Sequence, residues 1–379
     1  METLSRIRDV NSSFPLSEPI QRWKQRGGKA IGYMCTYVPE ELICAAGALP
    51  VRVTGDSREL PLGDANAHLH PVSCSFSRQC LQLALEGQYS FLDGFIGGNN
   101  CDSIRRLVDN WLHYVPTPFT YILDVPHKLT PRAVEYYHGV LVDLKEKLEG
   151  FLGIDISDQA LREAIDLCNT TRNLLRELYE LRKQDAPPIS GAETMEVLNA
   201  GFRMPKGEYN QLLVSLLKEA RSGGREVRGD IRLMLSGSPL TNPDFVRSIE
   251  QLGGLVVVDE LCTGGRYWSD PVAVDGAANP LEAIARRYLT KFPCAVMSPA
   301  AERLDRVVSL AQEYRIHGVV SQVIRSCIPC LWQQPLLRER LLSRGIPILE
   351  LDVEYGTAGG GQTRTRVQAF LESLHMKEL

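Results

Sequence analysis

The chain writes one alternation twice, and that repetition narrows its fold more than any other feature. GKAIGYM, LPVRVTG, LDGFIGG and FTYILDV are short apolar runs of strand length. VPEELICAAGA and CDSIRRLVDNWL, set among them, carry helical spacing, with Pro39 suited to an early helical position. After a long interruption the order returns. DIRLMLSG, GLVVVDE, HGVVSQV and IPILELDV read as strands, NPDFVRSIEQLG and PLLRERLLSRG as helices, and GQTRTRVQAFLESL as the closing helix. Repeated strand–helix–strand order implies parallel sheets with helices on their faces.

The interruption is itself helical. PRAVEYYHGVLVDLKEKLEGFL and SDQALREAIDLCNTTRNLLRELYELRK have helical apolar spacing, and Ser157 is placed to cap the second. QDAPPISG breaks them from two more helices. The expected architecture is α/β: two doubly wound, Rossmann-like parallel-sheet domains with a helical middle layer. The expected limits are an N-terminal segment at 1–19, a first α/β domain at 20–129, a helical connection at 130–222 and a second α/β domain at 223–379. Such halves face each other across a cleft lined by the carboxyl ends of strands.

Composition sets the class. At 379 residues the chain exceeds one comfortable core, which agrees with two domains. The formal charge is −4 and the Lys and Arg residues are scattered, so no nucleic-acid partner is expected. The start, METLSRIRDVNSSFPLSEP, has no signal pattern, and no apolar run approaches membrane-spanning length. The expected location is cytoplasmic, where ten cysteines are not a disulfide framework.

Sorting those cysteines is the route to function. Cys101, Cys262 and Cys327 each fall just beyond an expected strand, where an open α/β domain places its chemistry. Cys101 also opens a helix, whose N-terminus favours the thiolate. Cys74 and Cys80 flank the point where a loop becomes a helix, and Cys330 follows Cys327 with Pro329 bending the loop between them. Cys44, Cys168 and Cys294 sit in apolar or small-residue settings and read as structural. Cys35 ends a strand and stays unassigned. A structural zinc site draws on paired CxxC or His knuckles, and this chain has a single CxxC. A thioredoxin-like CxxC would open a helix early in a much smaller domain. Six thiolates spread over both halves fit iron–sulfur ligation better.

GYMCTYVPEELICAAGALPVRVTG, LDGFIGGNNCDSIRRLVDNW, VVVDELCTGGRYW and GIPILELDVEYGTAGGGQTRTRVQAFLE together resemble the 2-hydroxyacyl-CoA dehydratase and benzoyl-CoA reductase superfamily. The resemblance runs from about residue 20 to the end. It implies an iron–sulfur cluster in the cleft between the domains, with three cysteine ligands that match Cys74, Cys101 and Cys327. It also implies a separate dimeric ATP-hydrolysing activator with its own [4Fe–4S] cluster, so that ATP binds only the partner. Cys80, Cys262 and Cys330 are additional, and three plus three resembles the double-cubane-cluster branch, whose cofactor is [8Fe–9S].

The leading expectation is therefore the iron–sulfur component of an ATP-dependent low-potential reductase, which reduces a small substrate at a double cubane. The alternative is a 2-hydroxyacyl-CoA dehydratase or benzoyl-CoA reductase subunit with one [4Fe–4S] cluster, acting on an acyl-CoA. A third is a non-catalytic electron-storage protein. A homodimer is expected, or a heterodimer with a related subunit in the alternative. Arg78, Asn99, Asn100, Arg266 and Arg325 stand beside ligand cysteines as hydrogen-bond donors; His68, His70 and Arg266 are the candidate catalytic groups. Asp259 and Glu260 follow a strand as acid–base groups or helix caps. Neither GGNN nor TAGGGQ has a dinucleotide fingerprint, and no Walker sequence appears.

Overall fold

Two helices, α1 (Glu2–Ser12) and α2 (Glu18–Gln25), lead into the first sheet. The computed structural model describes residues 1–274, 279–356 and 360–378, so Thr357, Ala358 and Gly359 of TAGGGQ lie outside the described residues. Strands β1 (Ala30–Met34), β2 (Leu49–Arg52), β3 (Gly94–Gly98) and β4 (Phe119–Leu123) are parallel, in the order β2-β1-β3-β4. Helix α3 (Glu40–Ala45) joins β1 to β2, α4 (Gly63–His68) and α5 (Ser75–Leu85) join β2 to β3, and α6 (Asp102–Tyr114) joins β3 to β4.

Four helices follow: α7 (Pro131–Leu152), α8 (Asp158–Leu181), α9 (Gly191–Gly201) and α10 (Lys206–Ser222). Thr130 and Ser157 cap α7 and α8 through their side chains, accepting from Ala133 and Ala160 N–H groups. This layer is tied to the first sheet by buried ion pairs. Arg172 of α8 meets Glu41 at 2.5 Å and Lys206 of α10 meets Glu40 at 2.9 Å.

The second sheet then repeats the first. Strands β5 (Ile231–Gly237), β6 (Gly254–Asp259), β7 (Gly318–Ile324) and β8 (Ile348–Val353) are parallel, in the order β6-β5-β7-β8. Helix α11 (Pro243–Glu250) joins β5 to β6, and α12 (Gly265–Trp268), α13 (Pro280–Thr290) and α14 (Ala301–Glu313) fill the way to β7. Helix α15 (Ile328–Leu342) joins β7 to β8, and α16 (Gly361–Glu378) closes the described chain. The winding direction reverses between β1 and β3 in one sheet and between β5 and β7 in the other, which opens a crevice at their carboxyl ends.

Strand periodicity sets the packing. Ala30 and Met34 turn to one apolar cluster while Ile31 and Tyr33 turn to another, so both faces of β1 are covered. The first of these clusters also takes Ile231, Leu233 and Leu235 of β5, so the two sheets share one continuous core. Gly237 ends β5 at φ +119°, and a Cβ there would stand 1.8 Å from the Gln322 carbonyl oxygen, so only glycine lets β7 approach.

Two details differ from expectation. Helix α15 begins at Ile328, seven residues before the expected start, with Pro335 inside it. Pro329 therefore does not bend a loop: it lies in the first helical turn, where the missing N–H costs nothing because first-turn donors have no helical acceptor. Residues 1–19 are also helical in large part. Helix α1 packs on α9 and α10, with Thr3 hydroxyl donating to Glu219 at 2.6 Å and Arg8 donating to Glu196 at 2.9 Å. Among the described residues no helix is long and apolar enough to cross a membrane.

Candidate functional site

Three connections bring cysteines to the crevice at equivalent points. Cys101, Cys262 and Cys327 each stand three residues beyond a strand: β3, β6 and β7. Cys101 is the N-cap of α6, Cys327 the N-cap of α15, and Cys74 the N-cap of α5. Three helix N-termini are thereby presented through cysteine. Their partial positive charge favours an anionic group over a neutral ligand at this point.

Cys74 links the other two. Cys74 acts electrostatically on Cys101 from its own half and on Cys327 from the other. Its backbone N–H donates to the Ser103 hydroxyl at 3.3 Å, which ties the start of α5 to the first turn of α6. The Cys74 thiol lies 3.6 Å from the Ser77 hydroxyl, which itself donates to the Cys74 carbonyl at 2.8 Å. Burial, with the Cys74 charge next, pushes the Cys101 thiol up to about 12.

The additional cysteines are engaged with protein groups. Cys80 is sealed in the core at 0 % exposure, and burial raises its pKa well above the usual thiol value. Cys262 receives the Arg52 guanidinium, at 3.0 Å on its carbonyl and 3.2 Å on its sulfur. Cys330 is held down to about 7 by a hydrogen bond from Cys327, with Arg303 and Arg266 helping and burial opposing. Cys327 is raised well above its usual value by the same hydrogen bond.

Sequence reasoning missed two members of this neighbourhood. Cys35, directly after β1, and Cys294, assigned to the structural set, act on each other, and both act on Cys101. Cys35 holds φ at +91°, a conformation that side chains rarely adopt, and burial pushes its thiol up to about 12. The available signal was position: Cys35 follows β1 as Cys101 follows β3, across the same reversal point. By contrast, Cys44 and Cys168 pair with each other.

The other candidates are placed as follows. Arg78 donates to the Ser73 carbonyl at 2.9 Å and to Asn66 at 3.1 Å, bracing the loop into Cys74. Asn99 is taken by Asp124 at 2.5 Å. Asn100, 3 % exposed, has neither its Nδ2 nor its Oδ1 in a hydrogen bond. Arg266 is buried and donates to the Glu260 carbonyl at 2.5 Å and the Gly237 carbonyl at 3.2 Å. The Glu260 carboxylate accepts from Arg303 at 2.5 Å and from the Ser236 hydroxyl at 2.6 Å. Asp259 caps its turn, accepting from Leu261 N–H at 2.9 Å and Gly265 N–H at 3.0 Å. Arg325 is exposed. His68 and His70 are exposed as well. His68 lies against the Tyr114 ring at 3.9 Å between centroids, and His70 Nδ1 accepts from Val72 N–H at 3.1 Å.

The donor set fits an iron–sulfur group: thiols from both halves, three of them at helix N-termini with Cys74 buried and Cys101 and Cys327 half-buried, beside a buried amide whose hydrogen-bonding capacity is unspent. Among the described residues no three His, Cys, Asp or Glu side chains gather as ligands of one metal ion.

Comparison with known proteins agrees with the general resemblance. Residues 35–374 match the family described as 2-hydroxyglutaryl-CoA dehydratase, D-component. A benzoyl-CoA reductase subunit of Thauera aromatica is 28% identical over 366 residues, 94% of each chain. The (R)-phenyllactyl-CoA dehydratase beta subunit of Clostridium sporogenes is 25% identical, also covering 94% of each chain. The beta subunit of (R)-2-hydroxyglutaryl-CoA dehydratase from Acidaminococcus fermentans is 26% identical over 94% of this chain and 95% of its own.

These relatives overturn the leading expectation. An ATP-dependent reductase component that reduces a small substrate at a double cubane does not stand, because the relatives are acyl-CoA dehydratase and benzoyl-CoA reductase subunits. In the structure the three additional cysteines engage protein groups: Cys80 packs in a core cluster, Arg52 donates to the Cys262 sulfur, and Cys330 accepts from Cys327. With most of its length matched, the chain belongs to the 2-hydroxyglutaryl-CoA dehydratase D-component family.

Proposed function

We propose that the chain is a catalytic subunit that acts on an acyl-CoA thioester, dehydrating a 2-hydroxyacyl-CoA or reducing an aryl-CoA. Its cofactor is one [4Fe–4S] cluster held by Cys74, Cys101 and Cys327. Family membership implies an iron–sulfur cofactor in general, a separate ATP-hydrolysing activator and an acyl-CoA substrate. The observation that carries the ligand assignment is that these three cysteines each cap a helix N-terminus, with Cys74 in electrostatic reach of the other two. We also keep the domain limits 20–129, 130–222 and 223–379 as part of this proposal.

When bound, such a cluster supplies one-electron chemistry at an iron left without a thiolate. The chain's own residues do the rest. The N-termini of α5, α6 and α15 offset negative charge at the ligands. The Asn100 amide offers one donor and one acceptor inside the protein, and burial makes each worth more than it would be in water. The shared core excludes water from behind the ligands. Arg52 and the Arg266–Glu260–Arg303 group fix the loop after β6.

The test is iron and acid-labile sulfide analysis of protein purified without oxygen, followed by assay with an activator, ATP and acyl-CoA substrates. About four irons and four sulfides per chain, with turnover of an acyl-CoA, is the expected result. Zinc without sulfide, or a metal-free protein that stays active, would overturn it.

A further inference from the structure

Among the described residues two lysines are buried, and the protein keeps them in opposite ways. Lys206, 2% exposed, meets the Glu40 carboxylate at 2.9 Å. Lys291, 1% exposed at the end of α13, meets three uncharged oxygens instead: the Thr36 carbonyl at 2.7 Å, the Thr36 hydroxyl at 2.6 Å and the Arg266 carbonyl at 3.2 Å. Thr36 follows β1 in the first half and Arg266 follows β6 in the second, so the amine stands between the two. This set of oxygens serves either state of the amine. As an ammonium, Lys291 donates to all three. As a neutral amine it keeps two N–H groups for the carbonyls, which can only accept, and its lone pair takes the hydrogen of the Thr36 hydroxyl. A proton arrives or leaves with no hydrogen bond lost.

The surroundings pull both ways. Burial and the Arg287 guanidinium, with Arg172 and Arg52 adding to them, push the Lys291 ammonium well below the usual lysine range. The Tyr37 and Tyr288 rings, 5.0 and 5.4 Å from Nζ, and negative charge at Cys35 favour it. The Glu41 carboxylate is already taken by Arg172 and the Tyr288 hydroxyl, and Arg266 spends its guanidinium on the Glu260 and Gly237 carbonyls. New negative charge in the crevice therefore decides the state of the amine, and the crevice is close. Thr36 follows Cys35, whose Cβ is 3.7 Å from where a Cβ on Gly98 would stand, and Gly98 precedes Cys101 by three residues.

We propose that Lys291 is the proton-holding partner of the cluster: when the cluster gains one electron, Nζ takes one proton from solvent, and on oxidation it gives that proton back. This rests on the reading of one cluster held by Cys74, Cys101 and Cys327. The electron comes from the ATP-hydrolysing activator or, in the test, from an electrode. The coupling is reciprocal: the electron raises the affinity for the proton, and the proton raises the affinity for the electron by the same factor. Lys291 acts here through its charge and is not a ligand.

The experiment is an electrode titration of the iron-loaded chain, read by electron paramagnetic resonance, from about pH 6 to about pH 10. Across the window in which Lys291 changes state, the wild-type midpoint potential is expected to fall by up to about 59 mV per pH unit, the tenfold change in proton concentration converted for one electron. Lys291→Met should be flat at the wild type's high-pH limit, because it carries no charge. Lys291→Arg should be flat and higher, because its guanidinium keeps the charge at every pH. Thr36→Val leaves the amine in place but removes an oxygen that binds the ammonium more strongly than the neutral form, so its window should move to lower pH. Should Lys291→Met fail to fold, Thr36→Val decides alone. A wild-type potential indifferent to pH, a Lys291→Met protein with the wild-type slope, or a Thr36→Val window that stays in place would each overturn the proposal. Protein without cluster iron would fail the earlier reading as well, whereas loaded protein with a flat potential fails this one alone.

Discussion

The two halves of the molecule share a strand order and treat their cysteines in opposite ways. In the first half, burial dominates: Cys35 and Cys101 are pushed up to about 12 and Cys80 well above the usual thiol value. Arg52, the cation that β2 supplies, is turned across the crevice to Cys262. In the second half, Arg303 and Arg266 reach Cys330, and with the hydrogen bond from Cys327 they hold it to about 7. One proton then serves two thiols, since Cys327 is raised by the same bond. Position at a strand end therefore does not set the state of a thiol. Burial, buried cations and neighbouring thiols set it together, and in the second half a thiol–thiol hydrogen bond tips the balance at Cys330.

The largest expected effect tests whether both halves ligate. Cys101→Ser and Cys327→Ser should each remove nearly all cluster iron and all activity, while Cys168→Ser, in α8 and paired with Cys44, leaves the iron unchanged. Metal analysis of the three variants decides it. If one of the first two keeps its iron, the two-sided site is broken and the cluster belongs to one half.

The next effect is on stability. Glu260→Leu strands Arg303 and Arg266 without their carboxylate in the core, and should cost about 3–5 kcal/mol in denaturant unfolding. Arg52→Met, the corresponding loss on the other side, gives up hydrogen bonds to the Cys262 carbonyl and sulfur and should cost about 1–2 kcal/mol. Equal costs would mean that the electrostatic contrast between the halves is not real.

Much of this was legible in the sequence, and the limits have physical causes. The eight strands of the described residues appear as apolar runs, the signal being least broken in those covered on both faces, such as β1, β3, β5, β6 and β7. Ser157 announces its helix by type and position, and its cap is made. The start of α15 was hidden because two prolines normally end helices; here Pro329 occupies the first turn and Pro335 the exposed face. Cys35 and Cys294 were hidden for another reason. Their proximity to Cys101 is created by chain segments far apart in sequence, and no local pattern encodes it. The Arg266–Glu260–Arg303 group was invisible likewise: each residue alone reads as a surface charge, and only the fold buries all three.

The smallest effect separates two adjacent asparagines that the sequence could not tell apart. Asn99 is spent: its amide donates to Asp124, and its backbone N–H donates to the Leu123 carbonyl at 3.0 Å. Asn99→Ala should therefore cost about 1 kcal/mol and leave the cluster spectrum alone. Asn100 is buried with both polar atoms unpaired, an arrangement that costs free energy unless something bound there repays it. In cluster-free protein, Asn100→Ala should consequently unfold within about 0.5 kcal/mol of wild type or somewhat above it, because no hydrogen bond is lost. In the loaded protein the same substitution should shift the electron paramagnetic resonance spectrum of the reduced cluster, since a donor beside Cys101 is removed. A variant that destabilises the cluster-free chain as much as Asn99→Ala, with the spectrum unmoved, would make Asn100 a second structural asparagine.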